Sequence, residues 1–312
     1  MKHGTFAFLV MAALWIGLQS WTTPGDSPIS IMTSYDEKST ATTIEAYAQK
    51  HDIPPIDATI DRVWKAIPGY NGLVVDQEKS LGIMEGSRFK EEDIIWKETP
   101  PEVHLSDLPP SPIYRGNPEK PMVSLLINVA WGNEFIEPIL HTLQQHKVKA
   151  SFFLDGSWTK KNPDMARLIQ FHGHEIGSHA YSHPDLAKSS EAKTRDELQK
   201  TNDVIEEVLG LTPTWFAPPS GSFNQRTIEI ARELGMYTIL WTVDTVDWRK
   251  PDTTEMVNRV VSKVEKGSMI LMHPTQPTAE GLERMIEEIK GKGYVVGTVS
   301  ELMSEERVRP LR

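Results

Sequence analysis

Apolar residues fall at two spacings along this chain, and each switch between them marks an element. Met122 to Ala130 is a nearly continuous apolar run of strand length, and Ile136, Ile139, Leu140 and Leu143 then recur with helical period. Ala150 to Leu154 predicts a second buried strand. Helices are predicted by Leu198, Ile205, Val208 and Leu209 before Gly210, and by Met256, Val257, Val260, Val261 and Val264 before Gly267. Further strands are predicted at Tyr237 to Thr242, Met269 to Met272 and Tyr294 to Val296. Alternation of this kind implies a parallel sheet covered by helices, because parallel strands need crossovers and the helices must bury their apolar stripes on the sheet. The span 121–305 holds about seven such units, fewer than the eight of a full barrel. The expected fold class is therefore α/β, a distorted (β/α) barrel of about seven parallel strands, with a small α+β module before it.

Upstream the texture is different. Ile60, Val63, Trp64 and Ile67 stand at helical spacing and stop at Pro68-Gly69, which predicts a helix, and Leu73 to Val75 predicts a short strand. These belong to a small module over 43–107 without a cluster of chemically able residues. Residues 23–42 are polar and read as a spacer, and the prolines from Pro109 to Pro118 make 108–120 an extended linker. That linker leads to the expectation that 121–312 folds without the module. Residues 1–22 carry Lys2 and His3 ahead of an apolar run from Phe6 to Leu18, the layout of a secretory signal or, uncleaved, of a membrane anchor.

Composition narrows the chemistry. The 312 residues are 39% apolar and 24% charged, as in an ordinary globular protein. A formal net charge of -10 leaves no basic stripe for a phosphate backbone, so nucleic acid is not an expected partner and a neutral substrate fits better. With no cysteine, disulfides, thiol nucleophiles and cysteine metal sites are all excluded.

In parallel α/β folds functional groups gather at the carboxyl ends of strands. There the chain reads Gly173-His174-Glu175-Ile176-Gly177-Ser178-His179-Ala180-Tyr181-Ser182-His183. On a helix, His179 and His183 would project from one face within ~6 Å, which suits two ligands of one zinc-like ion.

This segment resembles the His-Ser/Thr-x-x-His signature of the polysaccharide deacetylase (NodB-homology) family, with Ala180 at the hydroxyl position. Two further signatures follow in order: Asp244-Thr245-Val246-Asp247-Trp248 is similar to Asp-x-x-Asp-Trp, and Leu271-Met272-His273 to Leu-x-His. The likeness covers residues 121–305. It implies metal-assisted hydrolysis of an N-acetyl group on a glycan such as peptidoglycan, with a divalent metal, zinc or cobalt, held by His179 and His183. It implies that His273 protonates the leaving amine, supported by Asp247 or Asp244, and that Trp248, Pro219 and Leu271 shape the substrate pocket.

Two signatures depart from the family. Thr-Phe-Asp-Asp aligns with Leu126-Ile127-Asn128-Val129, so Asn128 stands where the family has its base and Val129 where it has a metal ligand. Arg-x-Pro-x-Gly aligns with Ala217-Pro218-Pro219-Ser220-Gly221, which replaces the arginine by alanine. Val129-Ala130-Trp131-Gly132 is similar to a subgroup of spore-formers' deacetylase homologues. An amide accepts no proton at neutral pH, so the expected activity is weak, and the alternative is a silent glycan-binding or envelope-assembly protein. Glu134 and Asp155 are either substitutes for the lost carboxylates or a helix-end and a loop residue. Trp131, Trp158 and Trp215 are either sugar platforms or core.

Overall fold

The computed structural model describes residues 37–85 and 87–308. The predicted signal, most of the spacer and the last four residues lie outside these.

The N-terminal module comprises α1 (Glu37–His51), β1 (Thr59–Asp61), β2 (Lys65–Ile67), β3 (Gly72–Val75), α2 (Gln77–Ile83) and β4 (Trp96–Thr99). Helix α1 thus begins inside the predicted spacer. Ile44 and Ala48 of α1 pack with Val75, Met84 and Ile94 in a small core of their own. The helix predicted from Ile60 to Ile67 is instead the antiparallel hairpin β1–β2. Local chemistry decides this: one Asp61 carboxylate oxygen accepts the amides of Val63 and Trp64, both at 2.7 Å, closing a turn that competes with helix, and Lys65 sits at φ 60°. Ile60 and Val63, the supposed apolar stripe, are exposed.

The larger unit runs β5 (Met122–Val129), α3 (Asn133–Gln145), β6 (Ser151–Leu154), α4 (Gly156–Lys161), α5 (Pro163–Phe171), β7 (Glu175–Ser178), α6 (Glu191–Leu209), β8 (Trp215–Phe216) and α7 (Gln225–Glu233). It continues through β9 (Tyr237–Thr238), β10 (Val243–Asp244), α8 (Thr253–Lys263), β11 (Met269–Met272), α9 (Gln276–Gly291), β12 (Val295–Gly297) and α10 (Val299–Met303). The strands pair in parallel in the order β10-β11-β5-β6-β7-β8-β9, and β12 pairs with the first residues of β5. Seven strands in sequence form a curled, incomplete barrel surrounded by helices, as the alternating pattern predicts. Three short strands, β7, β8 and β10, have no counterpart in the pattern, and the predicted strand over 237–242 is realised only at its first two residues.

Strand β5 is buried on both faces. Val123, Leu125, Ile127 and Val129 pack outward into the main core with Ile136, Ile139, Leu282 and Met285 of the helices. Met122 and Leu126 face the barrel interior with Phe153, Trp215, Ala217 and Met269, and the period of two puts Asn128 in the same inward row.

The proline-rich segment 108–120, predicted to be an extended linker, is packed against the barrel. Ile113 is fully buried, its amide donates to the Thr238 carbonyl at 2.9 Å, and its own carbonyl accepts the Leu240 amide at 2.8 Å. On its other side it bridges Lys65, so hairpin β1–β2 is stitched onto the β9 edge of the sheet. Leu105 and Leu108 pack against the same interior cluster.

Candidate active site

The carboxyl ends of β5, β6, β7, β10 and β11 open on one rim, where a cleft of about 340 Å³ is lined by Asn128, Ala130, Trp131, His179, His183, Ser220, Trp241, Asp244, Trp248, Leu271 and His273. The two histidines come together, but not on a helix. His179 directly follows β7, and the chain then turns through Ala180 at φ 58° and His183 at φ 56°. Their ring centroids stand 5.2 Å apart at 70°.

His179 is buried and its Nδ1 donates to the Ala217 carbonyl at 2.8 Å, which leaves Nε2 as the lone-pair nitrogen. Burial, with the neighbouring His183 charge, pushes its pKa down to about 3. The imidazole is therefore neutral at physiological pH, as a metal ligand must be.

Asn128 ends the inward row of β5. It is 4% exposed, and its Oδ1 is buried without a hydrogen-bond partner. Val129 lies in the apolar core between sheet and helices and does not line the cleft. Ala217 packs in the barrel interior, and only its carbonyl serves the site, through His179.

Opposite stands His273, after β11. Its Nδ1 pairs with one Asp247 oxygen at 2.8 Å and its amide donates to the other at 2.7 Å. Asp247 is fully buried and also accepts the hydroxyls of Thr278 at 2.7 Å and Thr275 at 3.1 Å. Burial alone would raise its pKa. The His273 ring, the Thr278 hydroxyl and the His273 amide outweigh that and hold it below the ordinary carboxylate value. Of the two aspartates, then, Asp247 orients His273, while Asp244 lines the cleft and accepts the Val246 amide at 2.7 Å.

Trp131 and Trp248, both about half exposed, rise from the cleft wall, and Trp131 stacks on His273 with centroids 5.9 Å apart and 9° between planes. Gly132 permits that placement: at φ 84° it passes so close to Pro274 that an added Cβ would lie 2.0 Å from its carbonyl oxygen. Leu271 lines the cleft, whereas Pro219 does not, and its neighbour Ser220 does. Trp158 donates its indole N–H to Asn133, and Trp215 to Ser300 and Glu175, so both are core residues. Trp241 had no role in the sequence reading; its place just ahead of the Asp-x-x-Asp stretch was the available signal.

Glu134 is exposed in the first turn of α3, and Asp155 caps α4 by accepting the Trp158 amide at 2.9 Å. Neither lines the cleft. Among the described residues, the one group of three His, Asp or Glu side chains with ligand atoms within 4.8 Å of one another lies elsewhere, at His146, Glu283 and Glu287. The cleft donors nonetheless suit a divalent cation: two imidazoles with Asn128 Oδ1, a buried oxygen with no partner, on the same cavity.

The family model for polysaccharide deacetylase matches residues 115–239. A peptidoglycan-N-acetylglucosamine deacetylase from Bacillus cereus is 33% identical over 201 residues, covering 63% of this chain and 73% of the relative. This chain belongs to the polysaccharide deacetylase family. The uncharacterized protein YlxY of Bacillus subtilis is 53% identical over 262 residues, 84% of this chain and 82% of YlxY. The crystal structure of a CE4 family pseudoenzyme from Bacillus anthracis is 47% identical with a TM-score of 0.80, covering 86% of this chain and 96% of that one. A mutant of that pseudoenzyme, described as having restored enzymatic activity, superposes with a TM-score of 0.81. The likenesses to YlxY and to the pseudoenzyme, over 84% and 86% of this chain, are longer than the barrel and so run into the N-terminal module as well.

Proposed function

We propose that this polysaccharide deacetylase homologue engages an N-acetylated glycan of the peptidoglycan type in the rim cleft and deacetylates it weakly. The observation that carries the reading is an asymmetry. The acid side, His273 on a fully buried and fully bonded Asp247, is assembled, whereas the base position holds Asn128 with an unpartnered oxygen.

His179 and His183 would hold the divalent metal that the family's hydrolysis depends on, which when bound polarises the acetyl carbonyl and acidifies water. His273 is placed to deliver a proton to the leaving amine, with Asp247 fixing the tautomer and orientation of its ring. Trp131 and Trp248 offer flat faces to a sugar ring, and Leu271 with Trp241 makes an apolar patch for an acetyl methyl. Asn128 Oδ1 can accept a hydrogen bond from an amide N–H or a hydroxyl, but it takes up no proton. Losing one positioned base costs ~10² to 10⁴ in rate, with binding left in place.

The 47% identity to a pseudoenzyme favours a second reading, a silent glycan-binding or envelope-assembly protein on the same cleft. Either role puts the chain at the cell envelope, with residues 1–22 as export signal or anchor. Among the described residues no helix is long and apolar enough to cross a membrane. The discriminating experiment is acetate release from N-acetylglucosamine oligomers and peptidoglycan with added Zn²⁺ or Co²⁺, beside His183→Ala. Slow release abolished by that variant supports the enzyme. Glycan binding without release supports the silent protein, and neither would defeat both.

A further inference from the structure

We propose that Glu197, in the middle of α6 and outside the cleft, is the positioning residue that sets His183 against His179; this rests on reading the two histidines as a metal pair. His179 needs little help, because strand β7 and the Ala217 carbonyl fix it. His183 lies four residues further on, in irregular chain, and the path between passes through Ala180 and His183 in the left-handed region that side chains disfavour. Two such residues persist only where the surroundings over-determine them.

Glu197 supplies that determination. One of its oxygens accepts the amides of Tyr181 at 3.1 Å and Ser182 at 2.8 Å, and the other accepts the Ser182 hydroxyl at 2.7 Å. From the opposite side, the first residues of α4 close the grip: the Gly156 amide donates to the Ala180 carbonyl and the Ser157 amide to that of Tyr181, both at 2.9 Å. The space is tight, since a Cβ on Gly156 would meet Tyr181 at 2.7 Å and Thr201 at 2.9 Å. Glu197 is itself 7% exposed and shares the buried stripe of α6 with Leu198, Thr201 and Ile205. Burying a carboxylate on such a stripe is costly unless its oxygens are bonded, and here the loop supplies all three donors. Its position one helix behind the cleft lets it act on His183 without touching metal or glycan.

The test titrates the full-length protein with Co²⁺ by calorimetry, for the parent, Glu197→Ala, Glu197→Gln and Ile205→Ala, and follows amide hydrogen exchange in a peptide spanning 180–184 by mass spectrometry. Ile205→Ala removes a fully buried side chain from the same helix and controls for general destabilisation. Glu197→Ala is expected to weaken Co²⁺ binding at least tenfold and to speed exchange in the peptide at least a hundredfold. Glu197→Gln, which keeps one carbonyl oxygen for the two amides, should lie between, and it carries the test if the alanine variant does not fold. Ile205→Ala should bind like the parent. Parental affinity in Glu197→Ala overturns the proposal whether or not exchange quickens, and so does an equal loss in Ile205→Ala. If the parent binds no Co²⁺ while Glu197→Ala still exchanges faster, the metal reading fails and the hold of Glu197 on the histidine loop stands.

Discussion

Asn128 and Val129 are adjacent in sequence and opposite in environment, and that difference decides what each substitution can do. Asn128→Asp puts a carboxylate on a residue that lines the cleft and whose buried side-chain oxygen has no partner. Acetate release by the metal-loaded variant should exceed the parent's by at least tenfold at matched metal content, because a positioned base is worth ~10² to 10⁴. Equal rates would mean that this side chain does not reach the reacting amide. Val129→Asp instead places a carboxylate in an apolar core, and should cost about 3 kcal/mol or more, read as a lower melting temperature without metal. Unchanged melting with tighter metal binding would show that the side chain turns toward the cleft. Ala217→Arg meets the packed barrel interior around Phe153 and Trp215, so it should destabilise rather than orient a base. The residues that touch the cleft were legible because their types are rare together: two histidines four apart, Asp-x-x-Asp-Trp and Leu-x-His in order. The direction of Val129 was also legible, since Met122, Ser124, Leu126 and Asn128 form one row of a period-two strand and Val129 belongs to the other. Motif alignment alone hides that parity.

At the scale of elements, long periodic helices and the fully buried, mostly apolar strands β5, β6 and β11 were readable, because their burial on every side writes itself into composition. What was hidden depended on single polar contacts. Asp61 turns a helical pattern into a hairpin, and Glu197 and the start of α4 hold as a loop what spacing suggested was a helix. The proline-rich segment was read as a tether because prolines donate no ladder hydrogen bonds. Yet Ile113 between them is fully buried and hydrogen-bonded to both neighbours of Ile239. Ile113→Ala should therefore cost about 2 to 5 kcal/mol, as for other buried aliphatic truncations, measured by denaturant unfolding. By the same argument a fragment starting at residue 121 should melt below the full-length protein, because it loses the Ile113 bridge and the contacts of Leu105 and Leu108. A fragment as stable as the full chain would mean that the strap adds nothing to the barrel.

For the whole molecule, the same sheet that gathers the cleft at one end buries histidines that the protein must keep neutral. His179 at the rim is held down to about 3 by burial, and His174, before β7, to about 4 by burial with the Lys149 charge nearby. His174 is bonded as a neutral ring, its Nδ1 accepting the Ala150 amide at 3.2 Å. The unfolded chain protonates both near 6.5, so it binds more protons than the fold below that pH. The stability these groups contribute is complete above pH 6.5 and is lost as pH falls toward 4 and then 3. Each histidine removes about 1.4 kcal/mol per pH unit in that window, so the pair removes about 5 kcal/mol between pH 6.5 and 4.5. That is a large share of the roughly 5 to 15 kcal/mol typical of a folded protein. Lys120 does not mask the effect: burial lowers its pKa to about 8, so its cost is already complete at neutral pH. Asp247, held below the ordinary carboxylate value, adds its own loss only at the acid end of the window or beyond. Melting temperature measured without metal should fall steeply from pH 6.5 to 4.5, and His174→Gln, which keeps an acceptor for Ala150, should remove about half of the slope. A flat profile in the parent would mean that His174 and His179 are solvated in the fold, and for His179 that its Nδ1 is not committed to Ala217, which would leave the cleft without an oriented ligand.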